Sequence, residues 1–286
     1  MHPLVLYNDR LAPASERIFA PGQIGLLSGW GVFTTLRIYD GVPFAFERHW
    51  ARMQKDAALL HVPLTQDRDQ TRQRIGELIR ANQAENSVAR VCVVRNQGGF
   101  WEGPGISTAA DLIVLTAGVK TWAPTVRLTV ARNARHAAST FAGAKILSWA
   151  YNLTWVEEAQ SRGFDEVILL NEREEVAECT SANIFAVLDG ATCTPPLSSG
   201  GLPGVTRNVL LEEIGGIEER VLRLEDLYRA EEVFITSTTR ELLPVSGIDG
   251  RALPAGGARR ARLQQAFTEN VRRYTAQHPL LTPQHQ

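Results

Sequence analysis

The sequence predicts an α/β chain, of the mixed α+β kind, that folds into two domains. The chain has 286 residues, about twice the length of a typical domain. Short strand-like runs and amphipathic helical segments occur in both halves. A stretch with Gly, Trp and Pro lies between two strand-like runs near the middle, as domain connections often do.

The first half is predicted to form a smaller α+β domain. Apolar and β-branched residues gather in short runs that predict strands, and two longer segments place apolar residues at helical spacing among Arg, Gln, Asp and Glu. The predicted strands are 4–7, 31–39, 87–95 and 110–117, and the predicted helices are 44–60 and 67–83.

The predicted connection lies between residues 117 and 124, where Gly118, Trp122 and Pro124 separate two strand-like runs. Glycine and proline interrupt regular structure, so a boundary is expected there. The expected division is an N-terminal domain at 1–117, a linker at 118–125 and a C-terminal domain at 126–286.

The second half alternates strands and helices, and apolar runs such as DEVILL and NIFAVL predict buried strands. Its predicted strands are 126–131, 165–170, 183–188, 219–223 and 232–236, and its predicted helices are 149–162, 206–214 and 256–275.

Composition excludes several classes of function. The formal charge of −1 and pI near 6.6 lack the basic excess that nucleic-acid binding needs. No run of about 18 apolar residues and no charged leader with a long apolar core occurs, so a cytoplasmic protein without a membrane span is expected. Three scattered cysteines and six histidines without paired ligand spacing predict neither disulfides nor a metal site.

Lysine is rare, and one lysine stands in a setting that favours reactivity. The chain has Lys55, Lys120 and Lys145 only, so 30 basic residues minus three lysines leaves 27 arginines. Lys145 lies between FAGA and ILSWAYNL, where partial desolvation would favour the neutral, nucleophilic amine. The alternative is a lysine at a helix start whose amine extends to solvent.

Glu178 is an isolated carboxylate in the strand-like run VAECTSANIF. A buried carboxylate requires a cation or hydrogen-bond donors, and a protonated pyridine nitrogen would serve. The alternative is a glutamate at a strand edge that faces solvent.

Two segments offer donors for an anion such as a phosphate monoester. GLPGVTRNVLLEEI predicts a helix start with Thr206 as N-cap, where the N–H groups of Val205 and Thr206 are exposed. The segment FITSTTRELLPV places four hydroxyl residues, 236–239, after an apolar strand. An ordinary helix start and an ordinary polar turn are the alternatives.

The order of these pieces resembles the fold-type IV enzymes that use pyridoxal 5′-phosphate (PLP). These include branched-chain aminotransferases, D-amino-acid aminotransferases and aminodeoxychorismate lyases. The resemblance runs from about Tyr7 to Gly250, and its motifs are Lys145, Glu178-x4-Asn183, Leu-Pro-Gly-Val-Thr-Arg at 202–207 and Thr-Ser-Thr-Thr-Arg-Glu at 236–241.

The resemblance implies a role for each motif. Lys145 would carry PLP as a Schiff base and act as the catalytic base, and Glu178 would pair with the pyridine nitrogen. Arg52, in the helix ERHWARMQKDA, resembles the family's phosphate arginine. The implied phosphate-binding residues are Arg52, Val205, Thr206 and Thr238, and the implied substrate-binding residues are Phe33, Thr35, Arg37, Arg95 and Thr239.

The family resemblance also implies the architecture and the partners. We expect a smaller N-terminal domain, a larger C-terminal domain around a β-barrel-like sheet, PLP between them, and a homodimer or higher homo-oligomer. One departure stands out: many branched-chain members carry Asn-Tyr after the lysine, whereas Ser148-Trp149 stands here, with Tyr151 nearby.

The sequence is compatible with several substrate classes. Phe33-Thr34-Thr35-Leu36-Arg37 resembles the lyase motif Phe-Thr-Thr-x-Arg, while branched-chain enzymes usually show Phe-Glu-Gly-x-Arg. Phe100 and Trp101 replace the lyase arginine, which favours an apolar substrate. We expect transamination between a branched-chain or other apolar amino acid and a 2-oxo acid such as 2-oxoglutarate, followed by the lyase, then D-amino-acid or (R)-amine transamination, and last a non-catalytic PLP-binding protein.

Overall fold

The computed structural model describes residues 1–104 and 106–279, and its backbone forms two compact units. Unit 1 consists of residues 1–120, 145–149 and the described residues from Val271 onward, and unit 2 consists of Thr121–Ala144 and Ala150–Asn270. The mixed α/β class with two sheets is confirmed. The domain boundary at 118–125 stays a prediction.

Unit 1 contains an antiparallel six-stranded sheet of order β2-β1-β6-β5-β3-β4. Its elements are β1 Leu4–Tyr7, β2 Arg10–Pro13, α1 Ile24–Ser28, β3 Gly31–Tyr39, β4 Val42–Pro43, α2 Phe46–Leu59, α3 Arg68–Ala81, β5 Ser87–Arg95 and β6 Ala110–Gly118.

Strand β3 presents two different faces because side chains alternate along a strand. Val32, Leu36 and Ile38 are fully buried in a core cluster that includes residues of α2 and α3. Phe33 belongs to a separate apolar cluster with Cys92, Val94 and Ile113. Residues one position apart on β3 therefore have different surroundings.

Unit 2 contains a nine-stranded sheet of order β12-β11-β10-β13-β14-β7-β8-β9, with β15 paired to β14. Strand β7 runs parallel to β8 and to β14. The elements of unit 2, with the helix that closes the described chain, are β7 Val126–Ala131, α4 Ala150–Ser161, β8 Glu166–Leu170, β9 Val176–Cys179, β10 Asn183–Leu188, β11 Ala191–Thr194, a 3₁₀ turn Leu197–Ser199, α5 Val205–Val209, a π turn Leu210–Ile214, β12 Ile217–Glu219, α6 Leu224–Arg229, β13 Glu232–Ser237, β14 Glu241–Ile248, β15 Arg251–Ala252 and α7 Ala258–Gln277.

Most of the predicted elements are confirmed, with ends that differ by at most two residues. The predicted strand at 219–223 is wrong, because β12 ends at Glu219. It pairs with β11, whose last residue, Thr194, lies opposite Glu219. Among the described helices, none combines the length and apolar character that crossing a membrane would require.

The predicted helix at 206–214 changes its hydrogen bonding half-way. Residues 205–209 are α-helical, and 210–214 form a π turn closed by a 2.9 Å hydrogen bond from Gly215 N to Leu210 O. Gly215 and Gly216 both have positive φ, which glycine adopts readily. The two glycines therefore end the helix.

The turn between β8 and β9 is held by the carboxylate of Glu175. It accepts hydrogen bonds from two nitrogens of Arg173, at 3.1 and 2.8 Å, from Asn171 Nδ2 at 2.9 Å and from Ser199 Oγ at 3.1 Å. The Arg173 hydrogen bond, with those from Asn171 and Ser199, lowers the pKa of Glu175 from 4.5 to about 2, although burial opposes this. The turn leads into β9 and so determines where Glu178 lies.

This pKa shift predicts an acid-dependent part of the stability. A carboxyl group whose folded pKa lies below its unfolded pKa stabilises the protein above the unfolded value, and the stabilisation is lost as the pH falls through the folded value. Glu175→Gln should lower the free energy of unfolding by roughly 1–3 kcal/mol near neutral pH, and the difference from wild type should shrink between about pH 5 and pH 2.

Urea denaturation across that pH range measures the difference. Glu174→Gln is the matched control, because Glu174 is the preceding residue and its side chain is 43% exposed. A Glu175→Gln difference that stays constant with pH would contradict the assignment.

Candidate active site

Lys145 lies in a short extended segment that is paired with β3. Phe33 N donates to Lys145 O at 3.1 Å, Leu147 N donates to Gly31 O at 2.9 Å, and Ile146 bridges Val32. The Lys145 amine lies 4.5 Å from the centre of the Phe33 ring. Helix α4 begins only at Ala150, so the alternative of a lysine at a helix start is wrong.

The buried carboxylate of Asp56, on α2, holds the Lys145 backbone. Asp56 is 4% exposed, and its Oδ2 accepts a hydrogen bond from Lys145 N at 3.1 Å. Burial raises the pKa of Asp56, while the Lys145 N–H and the charges of Arg52, Lys55 and Lys145 lower it, so that the net shift is upward. Sequence reasoning missed this residue.

The same face of α2 carries His49 and Arg52, since residues three and four positions apart lie on one side of a helix. Thr34 Oγ1 accepts a hydrogen bond from Arg52 Nη2 at 2.8 Å and lies 2.7 Å from His49 Nδ1. Thr34 and His49 are both 2% exposed. The spacing 49, 52, 56 in a helix that packs on a sheet was the signal available for finding this group.

The other face of β3 carries Phe33 and Thr35, with Arg90 on the neighbouring strand. Arg90 pairs in register with Thr35, is exposed, and places its guanidinium 4.7 Å from the centre of the Phe33 ring. The edge of Phe33 also contacts Trp149, at 6.2 Å between ring centres. Arg90 was missed, because nothing in the sequence distinguishes it from the other arginines.

Two of the proposed substrate arginines direct donors to main-chain carbonyl groups. Arg37 donates to Ile38 O and to Ser87 O. Arg95 donates to His61 O at 2.9 Å and to Gln97 O at 2.7 Å. Their substrate roles stay predictions.

In unit 2, Glu178 is a buried carboxylate with two donors. It is 8% exposed, its Oε1 accepts from Arg135 Nε at 3.0 Å, and its Oε2 accepts from Leu202 N at 3.1 Å. Asn152 accepts from Arg135 Nη2 at 3.2 Å and donates to Thr180 O at 2.7 Å. The alternative of a glutamate at a strand edge that faces solvent is therefore wrong. A buried carboxylate needs a cation or donors, and Arg135 supplies a cation. Sequence reasoning missed Arg135.

Helix α5 begins at Val205, with Gly204 as its N-cap. The prediction of Thr206 as N-cap is therefore wrong. The reason is that Gly204 is the last residue with an extended backbone, at φ −64° and ψ 138°, so helical geometry starts at Val205. A Cβ on Gly204 would lie 2.0 Å from Asn183 Oδ1, so a larger residue here would require the Asn183 side chain to move. The N–H groups of the first turn, which include those of Val205 and Thr206, have no acceptor within a helix.

The turn after β13 contains Thr238 and Thr239, both half-buried. Trp122 Nε1 donates to Thr239 O at 2.9 Å, and Arg240 follows, 4.0 Å from the centre of the Trp122 ring. Arg240 also donates to Glu166 Oε2 at 3.1 Å and to Ser181 Oγ at 2.9 Å. Trp122, Glu166 and Ser181 thus hold the end of this turn formed by Thr239 and Arg240.

Comparison with known protein families shows which family this chain belongs to. The model of the family "Amino-transferase class IV" matches residues 31–248. The chain belongs to this family. The aminotransferase is 30% identical over 266 residues to the branched-chain-amino-acid aminotransferase of Escherichia coli K12, covering 84% of this chain and 83% of that one.

Other relatives and solved structures agree with this assignment. The D-alanine aminotransferase of Bacillus licheniformis is 29% identical over 282 residues, covering 95% of the aminotransferase and 98% of the relative. The crystal structure of the E. coli branched-chain enzyme superposes with a TM-score of 0.85 at 26% identity, covering 95% of each chain. A structure assigned as a 4-amino-4-deoxychorismate lyase, from Legionella pneumophila, has a TM-score of 0.82 at 20% identity, covers 90% of this chain and 97% of its own, and shows the fold alone.

The cofactor of this aminotransferase is PLP, and the chemistry of the donors and acceptors fits it. Unit 2 offers a buried carboxylate as a hydrogen-bond acceptor, together with helix-start N–H groups and threonine hydroxyls as donors. Unit 1 offers a lysine amine against an aromatic ring and an arginine whose guanidinium is oriented by a hydroxyl group. These groups match the ring nitrogen, the phosphate and the aldehyde of PLP.

The Arg135–Glu178 pair predicts a stability effect that is independent of the cofactor. Removing one partner of a buried ion pair leaves an uncompensated charge, so Arg135→Met should lower the free energy of unfolding of the apo-protein by roughly 3 kcal/mol. Arg132→Met, three residues earlier, removes an arginine with a 58% exposed side chain and should cost less than about 1 kcal/mol.

Urea denaturation of the apo-protein compares the two variants. Adding Glu178→Leu to Arg135→Met should restore part of the lost stability, because the unpaired charge is then removed. Equal losses for Arg132→Met and Arg135→Met would contradict the importance of the buried pair.

Proposed function

We propose that the chain transfers an amino group between a branched-chain or other apolar L-amino acid and a 2-oxo acid such as 2-oxoglutarate. The observation that carries this proposal is the Phe33 face of β3. Phe33 packs in an apolar cluster with Cys92, Val94 and Ile113, which suits an apolar side chain. The names of several relatives, branched-chain-amino-acid aminotransferases, support the same substrate class.

Arg90 supports an acidic co-substrate. Its guanidinium is exposed on the same face as Phe33 and Thr35. A guanidinium binds a carboxylate through two parallel hydrogen bonds. A dicarboxylic 2-oxo acid has a second carboxylate that this side chain could bind, whereas an apolar amino acid would contact the Phe33 ring beside it.

The cofactor-binding residues in this proposal are Arg52, Lys145, Glu178, Val205, Thr206 and Thr238. Bound PLP supplies an aldehyde that captures the amino group and a ring that withdraws electrons from the neighbouring carbon. Glu178 would accept a hydrogen bond from the ring nitrogen and keep it protonated. Arg52, the first N–H groups of α5 and the Thr238 hydroxyl would bind the phosphate.

Lys145 has two tasks in the proposed mechanism. Between turnovers its amine would hold the cofactor covalently. With the substrate bound, Nζ of Lys145 would remove the proton from the substrate α-carbon and deliver it to the cofactor carbon that receives the amino group, which is the proton shift that transamination requires. The centre of the Phe33 ring lies 4.5 Å from this amine, so the ring covers one side of it.

We also propose a cytoplasmic homodimer. Cys92, Cys179 and Cys193 are buried and free, which suits a reducing compartment. Phe100 and Trp101 are 89% and 70% exposed, and exposed aromatic residues are typical of surfaces that a second subunit covers.

A half-reaction screen tests the proposed substrate. Holoenzyme is mixed with L-leucine, D-alanine, (R)-1-phenylethylamine or aminodeoxychorismate, and the loss of the visible cofactor absorption is followed. We expect the fastest loss with L-leucine and recovery on adding 2-oxoglutarate. If only D-alanine or only (R)-1-phenylethylamine reacts, the proposed substrate class is wrong. A holoenzyme without visible absorption would contradict the proposed cofactor linkage.

Lys145→Ala should fold and retain some affinity for PLP through the phosphate. It should lose turnover almost completely, because alanine can neither form the cofactor linkage nor act as the base. Borohydride reduction of wild-type holoenzyme, followed by peptide mass mapping, should find the PLP adduct on Lys145. An adduct on Lys55 or Lys120 instead would refute the assignment.

The aminodeoxychorismate lyase is the second candidate, because Phe33-Thr34-Thr35-Leu36-Arg37 resembles the lyase motif. Of its two hydroxyl groups, that of Thr34 contacts His49 and Arg52, which leaves Thr35 on the Phe33 face. A lyase could use the Thr35 hydroxyl to orient its substrate, whereas a transaminase of apolar amino acids needs chiefly an apolar wall.

Thr35→Gly therefore distinguishes the two reactions. We expect transamination of L-leucine to stay within about tenfold of wild type in kcat/KM, a change of roughly 1.4 kcal/mol. A far larger loss would mean that the hydroxyl takes part in the chemistry. Pyruvate release from aminodeoxychorismate by wild type, with no half-reaction of L-leucine, would establish the lyase in place of the transaminase.

A further inference from the structure

The hydroxyl of Thr34 joins a buried histidine to a cationic side chain. Thr34 Oγ1 lies 2.7 Å from His49 Nδ1 and 2.8 Å from Arg52 Nη2. The Thr34 side chain is on the α2 side of β3, away from the Phe33 cluster, and both Thr34 and His49 are 2% exposed. Solvent therefore does not compete for these two hydrogen bonds.

The available protons fix the direction of the hydrogen bond between Arg52 and Thr34. A guanidinium has donors and no acceptor, so the Thr34 oxygen accepts from Arg52. Burial, followed by the charges of Arg52 and Lys145, lowers the pKa of His49 well below 6.5, so the ring is neutral near pH 7 and one of its nitrogens accepts. Depending on the tautomer, His49 Nδ1 either accepts the hydrogen of Thr34 or donates to the second lone pair of its oxygen, and in both cases it holds the hydroxyl that accepts from Arg52.

This arrangement restricts the Arg52 side chain. A free arginine samples many rotamers, and ordering it on binding costs conformational entropy. Thr34 is held in the middle of β3, which pairs with β5 from Gly31 to Ile38, so its hydroxyl is a fixed acceptor. A binding group that is already oriented binds its ligand more tightly than a mobile one.

We propose that Thr34 and His49 are positioning residues that orient the Arg52 guanidinium toward the cofactor phosphate. The inference rests on the proposed function, in which Arg52 binds that phosphate. It assigns Thr34 to cofactor binding, although its neighbour Thr35 lies on the Phe33 face of the strand.

The test compares two ligands that differ only in the phosphate. Apo-protein is titrated with PLP and with pyridoxal, which has the aldehyde and the ring nitrogen but no phosphate, and both Kd values are measured by absorbance. Arg52→Ala should weaken PLP binding roughly a hundredfold and Thr34→Val roughly tenfold, with pyridoxal binding within about threefold of wild type for both. The double variant should match Arg52→Ala alone, because the hydroxyl acts through the arginine.

Matched variants separate positioning from packing. Thr34→Ser keeps the hydroxyl and should bind PLP like wild type, and His49→Leu should resemble Thr34→Val. Thr116→Val removes another buried threonine hydroxyl of unit 1 that bonds a histidine, His2, at 2.9 Å, so it controls for the loss of stability. It should leave both Kd values unchanged. If Thr34→Val does not fold, the Thr34→Ser and His49→Leu pair gives the same comparison.

Each outcome decides a distinct question. If Arg52→Ala weakens PLP and pyridoxal equally, the phosphate role of Arg52 in the proposed function fails. If Arg52→Ala selectively weakens PLP while Thr34→Val and His49→Leu do not, the positioning proposal alone fails. Additive losses in the double variant would also overturn it, because Thr34 would then act independently of Arg52.

Discussion

The hydrogen bonds between residues 145–147 and strand β3 are the constraint on which unit 1 depends for its chemistry. They fix the backbone of Lys145, whose amine lies 4.5 Å from the centre of the Phe33 ring. The carboxylate of Asp56 adds a bond from α2 to the same backbone. Residues 145–147 are remote in sequence from β3 and α2. These hydrogen bonds hold them in a defined position against both elements.

In unit 2, the carboxylates of three buried glutamates each have a guanidinium beside them. Glu178 pairs with Arg135, Glu166 with Arg240 and Glu175 with Arg173. Arginine suits these places because its planar fork can donate several hydrogen bonds at once and stays charged when buried. Three of the many arginines of this chain thus stabilise buried carboxylates.

These pairs also connect the loops to the sheet. Arg240 reaches from the threonine turn to Glu166 on β8 and to Ser181, and burial lowers its pKa despite the opposing charge of Glu166. Arg135 similarly links the segment after β7 to β9 and to α4, through Glu178 and Asn152. Ionic contacts inside unit 2 therefore fix the turn that carries Thr238 and the segment that carries Arg135.

Much of the fold could be predicted from the sequence because strands β3, β5, β7 and β10 have strong local patterns. The site was only partly predictable. Lys145 and Glu178 stand alone in apolar runs, so the cost of burying a charge marks them. Arg135 and Arg90 look like any other arginine, and their importance depends on strand register, which no local pattern specifies. The N-cap was misassigned because Gly204 has no side chain that marks it as a cap, whereas Thr206 is a residue that often caps helices.

The two adjacent threonines of β3 illustrate what alternation along a strand permits. One hydroxyl faces the helix and the other faces the open side of the sheet, so a change at one position need not disturb the other. With the roles proposed for Thr34 and Thr35, evolution could change substrate choice at one position while the other stays under a separate selective pressure. Substrate specificity and cofactor binding could then diverge independently, although the two residues are neighbours in the chain.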